Sequence, residues 1–137
     1  MAESQEHIYL VNLLYKKICQ LVPSCKTCLI EKDLPTNRQI GGRVQGYIPD
    51  IYYWQQDLFI IGEAKTLMDF DSKHSQSQLR AYIDECNKFQ GISILVIAIP
   101  LRLKSTVLNY FRRIKRKEKI TISRIIVIDE LGSEFEV

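Results

Sequence analysis

The stretch that most constrains this fold runs from Gly46 to Lys65 and reads GYIPDIYYWQQDLFIIGEAK. It holds two β-patterned segments joined by a polar turn at Gln55-Gln56-Asp57, which predicts two paired antiparallel strands. Asp50 follows a proline on the first strand, and the second strand ends in Glu63 and Lys65. Because alternate residues of a strand project to one face, we expect Glu63 and Lys65 to lie together, with Asp50 close to Glu63.

These residue types suggest a particular chemistry. Two carboxylates and one ammonium at the end of a sheet are costly to bury unless a cation lies between the acids. Two acids with a nearby main-chain carbonyl can hold one or two Mg²⁺ ions and leave positions open for water. A neighbouring lysine can orient the attacking water or neutralise developing charge, as hydrolysis of a phosphodiester requires. The alternative is a pair of solvated strand-end acids with one compensating lysine.

The size and composition indicate one globular domain spanning residues 1–137, with 46% hydrophobic and 26% charged residues. No apolar run approaches the roughly 20 residues that a membrane span requires, so no membrane association is expected. The acidic, polar first residues are unlike a signal peptide, and a cytoplasmic location is therefore predicted.

The positive charge is concentrated in one segment. Nine basic residues and a single acid, Glu118, lie between Arg102 and Arg124, whereas the formal net charge of the whole chain is only +3. Such a segment favours a nucleic-acid partner, although a solvated helix face is the simpler alternative. The residues predicted to contact nucleic acid are Arg112, Arg113, Lys115, Arg116 and Lys117. No base-reading module is evident, so recognition of DNA backbone or shape is expected.

The hydrophobic periodicity predicts an α/β fold. Helices are expected over residues 5–22, 74–89 and 103–116, with Ser4 as the N-cap of the first. Besides the central pair, strands are expected at 27–30, 92–100 and 120–128, followed by an acidic tail from 129 to 137. Residues 31–46 are expected to form a polar loop with a tight turn at Gly41-Gly42.

Two smaller features leave alternatives open. Glu6, in the first turn of the first helix, is either a solvated acid favoured by the helix dipole or a further metal ligand near the acidic pair. Cys25 and Cys28 form a Cys-x-x-Cys half-site, but zinc or an iron–sulfur cluster generally needs about four ligands. A second cysteine pair is missing, so free thiols are expected, with a structural metal as the alternative.

Pro49-Asp50 and Glu63-Ala64-Lys65 together resemble the signature of the PD-(D/E)XK nuclease superfamily. The resemblance implies a restriction-endonuclease-like core of order αβββαβαβ, with a mixed central sheet flanked by helices. It further implies that Asp50, Glu63 and the main-chain carbonyl of Ala64 bind metal and that Lys65 is the catalytic lysine. Some members add an acid from the first helix, a position that Glu6 matches.

Gln78 and Tyr82 resemble the Gln-x-x-x-Tyr motif of the recombination-exonuclease branch of that superfamily, which also includes Holliday-junction resolvases. The resemblance implies that both residues assist catalysis; the alternative is a simple contact along one helix face. That branch usually has a histidine in its first helix, and His7 stands in a similar place. The cysteine layout of its iron–sulfur members is not matched here.

The sequence therefore predicts a Mg²⁺-dependent deoxyribonuclease, with Mn²⁺ able to substitute, that hydrolyses DNA through a metal-activated water. The alternative is a non-catalytic nucleic-acid-binding module, a degenerate nuclease, that uses the basic segment 102–124. Because so small a domain has little surface with which to grip a duplex, a homodimer or a helicase or other protein partner is expected.

Overall fold

The fold is α/β, as seen in a computed structural model that describes residues 4–32, 44–67, 70 and 72–137. The predicted turn at Gly41-Gly42 lies outside the described residues. The helices and strands, labelled in chain order, are α1 (Gln5–Leu21), β1 (Glu31–Lys32), β2 (Ile51–Gln55), β3 (Leu58–Ala64), α2 (Lys73–Lys88), β4 (Ile92–Ile99), α3 (Lys104–Lys117), β5 (Arg124–Asp129) and β6 (Glu134–Glu136).

The strands form one mixed sheet in the order β1-β2-β3-β4-β5-β6. Strands β2 and β3 are antiparallel and joined by a tight turn, β3, β4 and β5 are parallel, and β6 is antiparallel to β5. The central strand β4 is buried along almost its entire length. Parallel strands covered on both faces need apolar side chains on both sides, which explains the continuous apolar run of β4.

Helices cover both faces of the sheet. Helix α1 packs Leu10, Leu14 and Ile18 against one face, and α2 and α3 pack Leu79 and Phe111, among others, against the opposite face. The predicted α/β class, with a mixed sheet flanked by helices, is confirmed. Among the helices that the structure describes, none is long and apolar enough to cross a membrane.

The helix ends agree with the sequence prediction to within one residue. The Ser4 side chain accepts a hydrogen bond from the backbone N–H of His7 at 3.1 Å, and Ser72 caps α2 in the same way through Ser75. Both serines satisfy a backbone N–H that the helix itself leaves without a partner. The cap at Ser4 fixes the first turn of α1, which carries Glu6 and His7.

The short strand predicted at residues 27–30 is wrong. Ser24–Leu29 is a 3₁₀ helix, and β1 follows it at Glu31–Lys32. The Thr27 hydroxyl donates to the carbonyl of Ser24 at 3.0 Å, a local hydrogen bond of the kind that competes with strand pairing.

The C-terminal part of the chain departs from the prediction at two points. Strand β5 begins at Arg124 rather than at residue 120, because Thr121 is held at the end of α2 by hydrogen bonds to Asn87. The predicted acidic tail includes β6, whose Glu136 pairs with Arg124 across the strands. Glutamates are weak strand formers, and here pairing with β5 overrides that tendency.

Candidate active site

The pairing of β2 with β3 brings the two predicted acids together. Ile51 is paired with Gly62, so Asp50, one residue earlier, stands opposite Glu63, one residue later. The expected approach of Asp50 to Glu63 is therefore confirmed. Both acids lie at the end of the sheet where the parallel strands β3, β4 and β5 terminate, and both are buried, with 7% and 4% of their surfaces exposed.

Asp50 is held by backbone groups as well as by its neighbour. Its Oδ2 accepts a hydrogen bond of 2.8 Å from the backbone N–H of Ala64, and its own backbone N–H donates to Glu63 Oε1 at 3.2 Å. These two bonds continue the β2–β3 pairing beyond its last strand pair by using side-chain oxygens. The Asp50 carboxylate consequently has a fixed position at the strand end.

Lys65 lies beside Glu63, as the period-2 alternation predicted. Its ammonium is 3.2 Å from Glu63 Oε2, and only 6% of its surface is exposed. The backbone N–H of Lys65 donates to the carbonyl of Ala98 at 3.0 Å, which attaches the end of β3 to the neighbouring strand β4. Because the ammonium lies beside Glu63 and the backbone is bonded to β4, this buried lysine loses most of the rotamer freedom of an exposed side chain.

Helix α2 supplies the partners that complete the cluster. The Lys65 ammonium donates to Gln78 Oε1, and Gln78 Nε2 donates to the Tyr82 hydroxyl at 3.0 Å. Both helix residues are buried. The spacing of four residues thus places Gln78 and Tyr82 on one face of α2, directed at the cluster of Lys65 and Glu63. Their part in catalysis stays a prediction.

Burial and charge perturb the acidity of the cluster. The pKa of the Glu63 carboxyl is raised from 4.5 to about 8, first by burial and then by the negative charge of Asp50, while Lys65 opposes both effects. Burial also raises the pKa of the Tyr82 phenol, so Tyr82 stays protonated at neutral pH. Perturbed carboxyl groups of this kind are concentrated at functional sites, although structural clusters also produce them.

The first helix contributes His7 to the cluster. His7 Nε2 lies 3.2 Å from Asp50 Oδ2, and the imidazole is 13% exposed. Glu6, the predicted ligand, is exposed in the same turn. Successive residues of a helix are rotated by about 100°, so the two side chains leave α1 in different directions. The assignment of Glu6 as a metal ligand stays a prediction.

The predicted nucleic-acid-binding residues lie away from this cluster. Helix α3 begins just after β4, at the end of the parallel strands where the acids lie. It ends before Arg124, the first residue of β5, which is paired with Ile94 near the start of β4. The last two turns of α3 therefore lie toward the opposite end of the parallel strands. The five predicted side chains there, Arg112, Arg113, Lys115, Arg116 and Lys117, are all exposed. Their role stays a prediction.

The four cysteines are free thiols. Cys25 and Cys28 are exposed on the 3₁₀ helix, and burial raises the pKa of the Cys86 thiol to about 12. Among the described residues, no three His, Cys, Asp or Glu side chains are arranged as a ready-made metal-binding group. The oxygen donors closest to such a group are the adjacent carboxylates of Asp50 and Glu63, which are the kind of ligand that Mg²⁺ prefers.

Comparisons with known proteins do not identify a relative. No protein-family model matches the chain, and neither a curated protein nor a solved structure matches it.

Proposed function

We propose that this protein is a metal-dependent deoxyribonuclease that hydrolyses phosphodiester bonds with Asp50, Glu63 and Lys65. One observation carries the proposal: the three side chains, predicted from their sequence pattern alone, lie in one buried, hydrogen-bonded cluster. Burial of two acids is expensive, and proteins retain such an arrangement mainly where it has a function.

The arrangement of elements supports membership of the PD-(D/E)XK superfamily. The order α1, β1, β2, β3, α2, β4, α3, β5 matches that of the restriction-endonuclease-like core, and β6 is an addition after it. The acids lie at the turn-distal end of the β2–β3 pair, and α2 follows the lysine, as the resemblance implies.

The residues present fit a divalent metal. Asp50, Glu63 and the carbonyl of Ala64 would hold Mg²⁺ or Mn²⁺ through oxygen atoms. The proximity of Asp50 to Glu63 raises the carboxyl pKa of Glu63, and a cation between such acids would relieve their repulsion. When bound, the ion would polarise a phosphoryl oxygen and lower the pKa of a bound water.

The chain's own groups have separable roles in this proposal. Lys65 offers a fixed positive charge to the phosphate as negative charge develops on its oxygens. Gln78 holds the ammonium in place, and Tyr82 in turn orients the Gln78 amide. His7 orients the Asp50 carboxylate, in the way that outer groups commonly position metal ligands.

The test is cleavage of labelled DNA in single-stranded, duplex, nicked and branched forms, each with Mg²⁺, Mn²⁺ or EDTA. We expect metal-dependent cutting that is lost in both Glu63→Ala and Lys65→Ala. The substrate cut fastest would define the structure that the enzyme recognises. Cutting that persists in both variants, or in EDTA, would refute the proposed site.

A second candidate is a non-catalytic nucleic-acid-binding module. It is favoured by the position of the α3 cations, which lie toward the end of the parallel strands opposite to Asp50 and Glu63. These cations could bind a phosphate backbone without the acids. Salt-sensitive binding of DNA without cutting of any substrate form would support this candidate over the nuclease.

A further inference from the structure

The last two turns of α3 and Lys119, which follows the helix, form a patch of positive charge. We define the basic edge as Arg112, Arg113, Lys115, Arg116, Lys117 and Lys119, all exposed. The acids nearest to it are already paired, because Glu118 binds Arg80 at 2.6 Å and Glu136 binds Arg124. Within the part of the chain that is described, Lys115 donates a hydrogen bond of 2.8 Å to the main-chain oxygen of Val137, and none of the other five cations of the basic edge forms an ion pair.

A cleft rich in aromatic side chains opens at the same end of the parallel strands as the basic edge, near the last residues of α2. It has a volume of about 290 Å³ and is lined by Tyr52, Trp54, Phe59, Glu85, Lys88, Phe89 and Gln90. Phe59 and Phe89 stack with their ring centres 5.3 Å apart, and Tyr52 meets Phe59 edge-on. Trp54, the chain's single tryptophan, is 61% exposed at the mouth of this aromatic cleft.

The aromatic cleft and the basic edge lie on the same edge of the molecule. Asn87, which directly precedes the cleft residue Lys88, accepts a hydrogen bond of 2.9 Å from the backbone of Thr121. Thr121 lies two residues after Lys119 of the basic edge. Phe59 is also paired with Ser93 at the beginning of β4. This end of the parallel strands is opposite to the end that carries Asp50 and Glu63.

We propose that the basic edge and the aromatic cleft together bind a single-stranded polynucleotide. Its phosphates would contact the lysines and arginines, and a base would stack on the exposed Trp54 ring, the two interactions that strand-binding proteins combine. A single strand is the occupant because the bases of a duplex are stacked and paired and cannot enter a cleft. The positive charge of the basic edge favours a polyanion as the occupant over an apolar protein segment.

This surface has a consequence for the candidate active site, and that consequence alone rests on the proposed nuclease function. Trp54 lies four residues after Asp50 along β2, a distance of about 14 Å at about 3.4 Å per strand residue. At about 3.4 Å per nucleotide, a strand needs roughly four nucleotides or more to reach from Trp54 to the candidate active site. Cleavage of oligonucleotides shorter than this is expected to be insensitive to Trp54→Ala.

Binding is measured in EDTA, so the result does not depend on whether the protein cuts. A fluorescent oligothymidine of about 20 nucleotides exceeds the usual strand-binding site size. We expect the oligothymidine to quench the fluorescence of Trp54 in the wild-type protein. Trp54→Ala is expected to weaken binding roughly fivefold or more, from the usual strength of base stacking. Leu131→Ala, which truncates another exposed apolar side chain, is the matched control and is expected to bind as wild type.

The charge contribution is separated by salt. Lys117→Ala is expected to reduce the slope of log affinity against log salt by about 0.7, whereas Trp54→Ala leaves the slope unchanged. Lys16→Ala, at an exposed lysine on α1, is the control for loss of one positive charge. DNA and RNA both offer phosphates and bases to this surface. Comparing the affinity for oligouridine with that for oligothymidine of the same length shows which of the two the surface prefers.

Two results would overturn the proposal. One is salt-sensitive binding with no change in Trp54 fluorescence and no effect of Trp54→Ala, which would leave the aromatic cleft outside the nucleic-acid path. The other is equal competition by duplex of the same length, which would remove the need for an unpaired base. Either result leaves the proposed nuclease site untouched, and loss of cutting in the active-site variants leaves this surface untouched.

Discussion

Replacing Lys65 by methionine removes the ammonium from the buried cluster while keeping a long apolar side chain. The ammonium lies 3.2 Å from Glu63 Oε2, and it opposes the rise in the Glu63 pKa that burial and Asp50 cause. In Lys65→Met the folded-state pKa of Glu63 must therefore be higher than in the wild type. The consequence is a stability difference between the two proteins that depends on pH.

The size and sign of this difference follow from proton linkage. Between pH 4.5 and about 8, folded wild-type protein keeps a proton on Glu63 that the unfolded chain has released, so the free energy of unfolding falls as pH rises. The fall ends near pH 8 in the wild type. In the variant it continues above pH 8, at up to about 1.4 kcal/mol per pH unit.

Urea unfolding in EDTA, followed by Trp54 fluorescence between about pH 6 and pH 9, measures the effect. We expect the wild-type and Lys65→Met curves to be offset by a constant amount below pH 8 and to diverge above it. The double variant Glu63→Gln/Lys65→Met lacks the titrating carboxyl and is not expected to show the additional fall. Lys16→Met, on the surface of α1, controls for loss of a lysine elsewhere. Parallel wild-type and Lys65→Met curves over the full range would refute the coupling of Lys65 to Glu63.

Two further predictions concern the first helix. His7→Ala is expected to reduce metal-dependent cleavage by roughly 10- to 100-fold because Asp50 loses the group that orients it. An unchanged cleavage rate would show that His7 does not position Asp50. Gly62→Ala would place a methyl group 2.7 Å from Ile18 Cδ1 and is expected to lower the free energy of unfolding by about 1–3 kcal/mol in thermal or urea unfolding, and an unchanged stability would mean that α1 moves away freely.

The central part of the candidate site could be predicted from the sequence because it depends on short-range rules. A tight turn fixes the register of β2 against β3, and period-2 alternation then decides which side chains meet. That is enough to bring Asp50, Glu63 and Lys65 together. The link from Lys65 to Gln78 also follows from a local pattern, since α2 begins a few residues after β3 and presents one face to it.

Contacts between distant segments were harder to predict. His7 is 43 residues from Asp50, and their contact depends on how closely α1 crosses the sheet, which the missing side chain of Gly62 permits. The location of the α3 cations could have been predicted from the sequence. A helix that connects two parallel strands begins where the first strand ends and finishes near the start of the second strand, so its last turns lie at the other end of the strands. The aromatic cleft joins residues of β2, β3 and α2, and no single segment of sequence indicates it.

The most direct test of the central claim is a paired measurement on wild-type protein and Glu63→Gln with one DNA substrate. Cleavage in Mg²⁺ and binding in EDTA are measured for both proteins. The nuclease account predicts cutting by the wild type, a loss of at least about a hundredfold in Glu63→Gln, and unchanged binding in EDTA. Equal cutting rates in the two proteins, or no cutting by the wild type of any DNA form, would contradict it.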